Sequence, residues 1–246
     1  MIEGATAIRD AYLDDTLARR YVADRFTQPL GALPHARHVR AVERVIATAR
    51  PERILEIGPG PARVTADVRH TSATLFLLDS SAAMLREARR RLTGITCRYL
   101  QGDVFDLPVQ SAFDLVYSFR LIRHFAADDR KRIYAQIARS LRPGGWLVFD
   151  AVNEIVSAPL RARSGSEAHQ HYDALLRPDV LRAELEAAGF EVLGLEGVQH
   201  RYALLYALQT FVAPRSALVA RIAMEAVDRL LGGEPLEWIV ICRRRS

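Results

Sequence analysis

The chain has 246 residues, half of them hydrophobic and 26% charged, which is enough to bury one sizeable core and unlike the composition of a disordered chain. No apolar run approaches the roughly 20 residues that span a bilayer. The first ten residues carry Glu3, Arg9 and Asp10 instead of a signal peptide's apolar block, and two cysteines, Cys97 and Cys242, are too few for a disulfide scaffold or a four-thiolate zinc site. The net charge of +5 rests on arginines spread along the chain, with Lys131 the only lysine, which argues against the concentrated basic patch of a nucleic-acid binder. A reducing cytoplasm is the expected setting.

Val39, Val42, Ile46 and Ala49 recur at helical spacing. Pro29, Gly31 and Pro34 are expected to break the first 50 residues into two helical parts, the second ended by Pro51. A regular alternation follows. Residues 53–57 read as a strand running into Gly58-Pro59-Gly60-Pro61, with a helix from about Arg63. Residues 74–78 form a second expected strand, ending in Asp79, and Ser80 or Ser81 can cap a helix whose apolar face is Met84, Leu85, Ala88 and Leu92. Residues 95–100, 113–117 and 146–149 are the third to fifth expected strands, with a helix over 128–141 and a turn at Pro143-Gly144-Gly145. Residues 151–178 read as a long irregular stretch containing Pro159, Gly165 and Pro178. Then come a helix around Leu181, Leu185 and Ala188, a sixth strand over 190–198, an inserted helix over 215–231 and a last strand over 236–242. Apolar strands alternating with helices imply a parallel sheet covered on both faces.

The strongest chemical signal is Glu56-Ile57-Gly58-Pro59-Gly60-Pro61-Ala62, placed directly after a strand and before a helix. Glycine lets the backbone turn sharply and lets a ligand approach it. Asp79 ends the next strand, 19 positions after Gly60, where a carboxylate can accept both hydroxyls of a ribose, and Asp103 ends the third. These features share the carboxyl edge of the sheet, where open α/β sheets bind ligands. A dinucleotide fingerprint wants a small residue where Arg63 stands, and Pro59 and Pro61 remove two amide donors, so a ligand without phosphates fits better. The same residues also read as a tight turn with Asp79 capping a helix.

From Arg53 to Asp150 the sequence resembles the class I S-adenosylmethionine-dependent methyltransferases, most of all their small-molecule subgroup. The matching pieces stand in order: Glu-Ile-Gly-Pro-Gly-Pro-Ala (56–62), Leu-Leu-Asp-Ser-Ser (77–81), Gln-Gly-Asp-Val (101–104), Phe-Asp-Leu-Val-Tyr-Ser (113–118) and Leu-Arg-Pro-Gly-Gly (141–145). The resemblance implies a Rossmann-like, doubly wound α/β sheet of seven strands, mostly parallel with an antiparallel last strand beside the sixth. A helical N-terminal lid over 1–50 would precede a methyltransferase-like domain over 51–246 with insertions at 151–178 and 204–233. It implies that Gly58 and Gly60 pack under the methionyl part and ribose of S-adenosylmethionine, that Glu56 holds the loop or the amino-acid end, and that Asp79 binds the ribose hydroxyls. Asp103 and the Val104 amide would meet the adenine, Ser118 would lie near the methionyl part, and Ser80, Met84 and Gly102 would line the same site. Ala62 stands where the family often has a third glycine, which suggests a slightly shifted loop.

The implied reaction moves a methyl group from S-adenosylmethionine to O, N or C of a small-molecule acceptor. Alternatives are a non-methyl use of the cofactor such as cyclisation, an NAD-linked oxidoreductase, or a non-catalytic nucleoside-binding protein. Neither nucleic acid nor membrane is an expected partner, and a homodimer is left open. His124, just past the fourth strand, is the candidate general base, although a histidine packed at a helix start reads the same way. His169 and His171 lack a close third ligand, so no metal is expected. Tyr12, Tyr21, Phe26, Tyr172, His200, Tyr202 and Tyr206 are the candidate acceptor-pocket residues.

Overall fold

The computed structural model describes residues 26–69, 72–164 and 173–246. The strands are β1 (Arg53–Ile57), β2 (Thr74–Asp79), β3 (Cys97–Gln101), β4 (Phe113–Ser118), β5 (Leu141–Asn153), β6 (Leu175–Leu176), β7 (Phe190–His200) and β8 (Pro235–Arg244). The helices are α1 (Pro29–Ala49), α2 (Arg63–Asp67), α3 (Ala82–Arg91), α4 (Ala127–Ser140), α5 (Glu154–Ser164), α6 (Pro178–Ala187), α7 (Tyr202–Ala207) and α8 (Ala217–Leu230). The sheet order is β3-β2-β1-β4-β5-β8-β7, with the two-residue β6 beside β5. The strands from β3 to β5 pair in parallel, and β8 lies antiparallel between β5 and β7. The seven-stranded expectation thus gains one short strand.

Strand periodicity divides the core. Leu55, Phe76, Leu78, Val116, Leu147, Phe149 and Val240 face α4 and α6, which contribute Ile133, Ile137, Leu181 and Leu185. Their neighbours Ile54, Leu75, Leu77, Leu115, Val148 and Ile239 face α1 and α3, which contribute Ala41, Val42, Val45, Ile46 and Ala88. Apolar residues at every strand position are therefore required, because both faces are covered.

Three local expectations need correction. The break falls at Thr27–Gln28, just before Pro29, but Gly31 and Pro34 do not interrupt α1, which runs from Pro29 to Ala49. Pro29 opens the helix, where its missing N–H is an orphan anyway. Pro34 leaves the Leu30 carbonyl without its helical donor, and the Gln199 side-chain amide donates to that carbonyl at 3.0 Å. Residues 154–164 are helical with Pro159 inside, not irregular. Pro143-Gly144-Gly145 falls within the span of β5, at a register break rather than between elements.

The Gln199 bond carries a prediction. Gln199→Ala leaves a half-buried carbonyl unpaired and should cost about 1–2 kcal/mol in urea unfolding. In a Pro34→Ala background the restored N–H serves Leu30, so the same change should cost under about 1 kcal/mol.

Candidate cofactor and acceptor site

β1 ends in a loop built from left-handed residues. Gly58 has φ +63°, and a Cβ there would lie 2.8 Å from Leu121 Cδ2, so the loop touches the segment after β4. Gly60 has φ +53°, and Ala62 adopts φ 54°, ψ 44° as the cap of α2. The alanine therefore takes the glycine-like conformation at a cost of about 1–2 kcal/mol, rather than shifting the loop.

The loop's N–H groups can be accounted for one by one. Gly58 N donates to the Leu78 carbonyl at 2.8 Å, Ala62 N to the Pro59 carbonyl at 2.9 Å, and Gly60 N to Asp79 Oδ2 at 3.1 Å. Pro59 and Pro61 have none. A diphosphate would find no free N–H between Gly58 and Ala62, whereas a ligand with hydroxyls to donate meets an acceptor. Asp79 is the acceptor on hand. Its Oδ1 takes Ser81 N at 2.9 Å, and each oxygen keeps capacity for a further hydroxyl. Burial pushes its carboxyl upward against those amide bonds.

Glu56 lies buried beneath the loop. Thr65 Oγ1 donates to its carboxylate and sits 2.8 Å from the Tyr117 hydroxyl. Burial raises the Glu56 pKa to about 7 despite these bonds. Met84 is buried, its Sδ 3.8 Å from where a Gly60 Cβ would lie. Ser81, rather than Ser80, caps α3. Gly102 N donates to the Asp79 carbonyl at 3.1 Å, while Val104 is buried. Asp103 is exposed and its Oδ1 takes Phe105 N at 3.0 Å. Ser118 is fully buried and donates to the Ile57 carbonyl at 2.8 Å, so its hydroxyl ties β4 to β1 instead of facing a ligand. Gly58, Gly60, Asp79, Met84 and Gly102 thus share one rim, with Glu56 and Ser118 underneath.

Beyond β4 the same rim carries a charged cluster that sequence reasoning missed. Arg123 Nη2 lies 2.7 Å from Asp150 Oδ2 and 2.6 Å from Glu237 Oε2, all three side chains buried. His38 from α1 stacks on Phe119 with ring centroids 4.1 Å apart, and its Nε2 is 3.4 Å from Glu237 Oε1, too oblique for a hydrogen bond. Burial lowers the His38 pKa to about 4. His38, Asp150 and Glu237 bring metal-type donors within 4.8 Å of one another, but the Arg123 guanidinium already supplies the cation. Burial opposes ionisation of Glu237, yet Arg123 and His38 hold its carboxyl well below the usual range. The signal for this cluster was an acid inside each of two apolar strands, Asp150 in β5 and Glu237 in β8.

His124 sits in a 3-10 turn, Ile122–His124, and is buried. Its Nδ1 is 3.0 Å from Asp173 Oδ1, an ion-pair distance with poor hydrogen-bond alignment, and Asp173 Oδ2 is 2.6 Å from Arg161. Burial works against Asp173, but His124, Arg123 and Arg161 hold its carboxyl well below the ordinary value. Phe26 is buried beside the loop, with the Arg63 guanidinium 4.2 Å from its ring centroid, and Arg63 in turn contacts His35 Nδ1 at 2.7 Å and His38 Nδ1 at 3.0 Å.

Of the other acceptor candidates among the described residues, Tyr202 and Tyr206 stand together, with ring centroids 6.4 Å apart. His200 is spent on the scaffold: its N–H and Nδ1 both meet Asp228 Oδ1, while Arg37 holds Asp228 Oδ2. Tyr202 is half-buried and Tyr206 is 57% exposed on α7. Tyr202 lines a cleft of 460 Å³ with Ile155, Val156, Pro159, Leu160 and Leu204. Tyr12, Tyr21 and Tyr172, like His169 and His171, lie outside the described residues. No helix among the described residues is long and apolar enough to cross a membrane.

The family described as methyltransferase domain matches residues 54–145. Malonyl-(acyl-carrier protein) O-methyltransferase from Enterobacter lignolyticus is 31% identical over 194 residues, covering 74% of this chain and 70% of that protein. Ubiquinone biosynthesis O-methyltransferase from Xanthomonas axonopodis pv. citri is 27% identical over 194 residues, covering 73% of this chain and 79% of that protein. Among solved structures, magnesium protoporphyrin IX methyltransferase from Synechocystis PCC 6803, with bound S-adenosylhomocysteine, has the same fold: TM-score 0.70 at 12% identity, over 98% of this chain and 99% of that one. With this sheet order and a relative of this identity and coverage, the chain belongs to the class I S-adenosylmethionine-dependent methyltransferases.

Proposed function

We propose that the chain methylates a small-molecule acceptor, at an oxygen in preference to nitrogen or carbon, on the rim beyond β4 and β5. The cleft between α5 and α7 carries this reading. It is an open cleft of about 460 Å³ whose walls are apolar apart from Arg201 and Glu234, and it lies where β5 ends. In this reading α1, α5, α7 and α8 roof the acceptor. Asp79 accepts the ribose hydroxyls, Asp103 and the Val104 amide meet the adenine, and Gly58, Gly60, Met84, Ser80 and Gly102 shape the slot. S-adenosylmethionine supplies a methyl group already activated by its sulfonium.

What remains for the protein is alignment, exclusion of water and removal of a proton. In this reading His124, buried in the turn after β4, takes the last task. The Asp173 carboxylate, 3.0 Å from Nδ1, flanks the imidazole on that side. An acceptor hydroxyl needs such a base, which is why oxygen is preferred.

The test incubates the purified chain with methyl-labelled S-adenosylmethionine and a panel of phenols, catechols, carboxylic acids and amines, reading labelled products by mass spectrometry. Labelled methyl esters or ethers are the expected result. Cofactor binding without any methylated product across the panel would reject the reading. His124→Gln should lower kcat on a hydroxyl acceptor by about 100-fold with S-adenosylhomocysteine affinity unchanged. Equal kcat would remove His124 from the reaction.

A further inference from the structure

We propose that Arg63 is a positioning residue that pins the cofactor loop to α1, and that the pin holds only while two imidazoles of α1 each turn an unprotonated nitrogen toward its guanidinium. Arg63 directly follows the loop in which Gly58, Gly60 and Ala62 are all left-handed, and it opens α2. With five residues, α2 is too short to hold its own shape. Left-handed residues so close together persist only where the surroundings enforce them. β1 fixes one end of the loop, and the Arg63 side chain fixes the other. It is buried and packs over the Phe26 ring. Its Nη1 donates to His35 Nδ1 at 2.7 Å and its Nη2 to His38 Nδ1 at 3.0 Å.

A guanidinium only donates, so both Nδ1 atoms are the unprotonated nitrogens and both ring protons sit on Nε2. The neighbours fit that assignment at each end. His35 Nε2 donates to Asp67 Oδ2 at 2.6 Å, and His38 Nε2 faces the Glu237 carboxylate while its ring stacks on Phe119, the residue after β4. One arginine thus joins the loop, α1 and the segment after β4, all of which border the proposed site. The two imidazoles differ in one respect. Burial keeps His38 neutral down to about pH 4, whereas His35 is half-buried. Burial, with Arg63 and with Arg91 of α3, holds the His35 pKa below 6.5 against the pull of Asp67 of α2. Once His35 takes its second proton, Nδ1 becomes a donor facing a donor and the pin opens on that side. The inference rests on the cofactor site proposed above: a loop fixed in advance binds S-adenosylmethionine more tightly than one that must be ordered on binding.

The experiment titrates S-adenosylhomocysteine calorimetrically into wild type, Arg63→Lys, Arg63→Met and His35→Asn. Arg63→Lys keeps the charge but cannot bridge two imidazoles. At pH 8 both Arg63 variants should bind about tenfold more weakly than wild type. The Asn amide oxygen of His35→Asn stands near the Nδ1 position and accepts at any pH. Wild type and His35→Asn are therefore compared at pH 8 and at pH 5. Glu56 and Asp79, the other titrating groups at the loop, are present in both proteins, so the ratio of the two affinities isolates His35. That ratio should shift by about threefold in favour of His35→Asn from pH 8 to pH 5, which a loss of packing alone does not produce. Wild-type affinity in a folded Arg63→Met protein overturns the proposal, and so does a ratio that is the same at both pH values. Where Arg63→Met does not fold, the His35→Asn ratio decides alone. A wild type that binds no S-adenosylhomocysteine at either pH overturns the cofactor site itself, and the pin with it.

Discussion

Asp79→Ala should weaken S-adenosylhomocysteine binding by well over tenfold while leaving the sheet intact. Two losses combine. In the proposed site the carboxylate takes the ribose hydroxyls, and bonds to a charged acceptor contribute about 1.5–3 kcal/mol each. The same carboxylate joins Gly60 N to Ser81 N, so it couples the β1 loop to the start of α3. Without it both amides lose their acceptor and the loop is no longer held in its bound shape. Asp79→Asn separates the effects. It keeps the volume but turns one of the two oxygens into a donor facing an N–H, so only one amide bond survives. Its affinity should fall between wild type and Asp79→Ala, and hydrogen exchange should show faster exchange at the Gly60 or the Ser81 amide, but not both. Titration calorimetry gives the affinities. An unchanged Kd in a folded Asp79→Ala protein would take this residue out of the site.

The sheet was legible because its signals are local. Each of β1, β2 and β4 is a short apolar run with a turn or an acid at its carboxyl end, and Ser81 caps α3 through its own side chain. What could not be read depended on distant partners. The continuity of α1 through Pro34 rests on Gln199, 169 positions from the carbonyl it serves. The true length of β5 rests on β8, which pairs with it from Trp146 to Val152 and so extends the strand beyond Phe149. No window of sequence around Pro34 or Ala151 contains that information.

The site divides the same way. The glycine loop and Asp79 form a strand-turn-helix motif and its neighbour, readable from spacing alone. Ser118 and His200 occupy the right edge, yet their polar atoms are used within the fold, by the Ile57 carbonyl and by Asp228. Residue type and position on the edge do not say whether a hydroxyl or imidazole is free. The Arg123 cluster was invisible for the opposite reason. Its members come from the turn after β4, from β5, from β8 and from α1, and only the strand order brings them to one place.

That cluster should dominate stability. Arg123→Met removes the one cation shared by two buried carboxylates, Asp150 and Glu237, and leaves them facing each other out of water. Breaking a buried pair in this way costs about 3–5 kcal/mol, because the remaining charge is uncompensated. Asp150 also fixes the Arg120 amide, so the segment after β4 should loosen as well. The pH dependence carries the diagnostic sign. In wild type the folded Glu237 carboxyl is held below its ordinary value of 4.5, so its contribution is present above that pH and is lost as pH falls through the folded value. In Arg123→Met the largest opposing charge is gone and burial dominates at Glu237, so the folded variant takes up a proton there more readily than the unfolded chain and gains stability on acidification. The gap between the two proteins in denaturant unfolding should therefore be widest near pH 8 and narrow toward pH 5. Adding Glu237→Gln to Arg123→Met should recover part of the loss at pH 8 and little at pH 5. A gap that stays constant with pH would mean that the loss comes from the packing of the arginine stem and not from its charge.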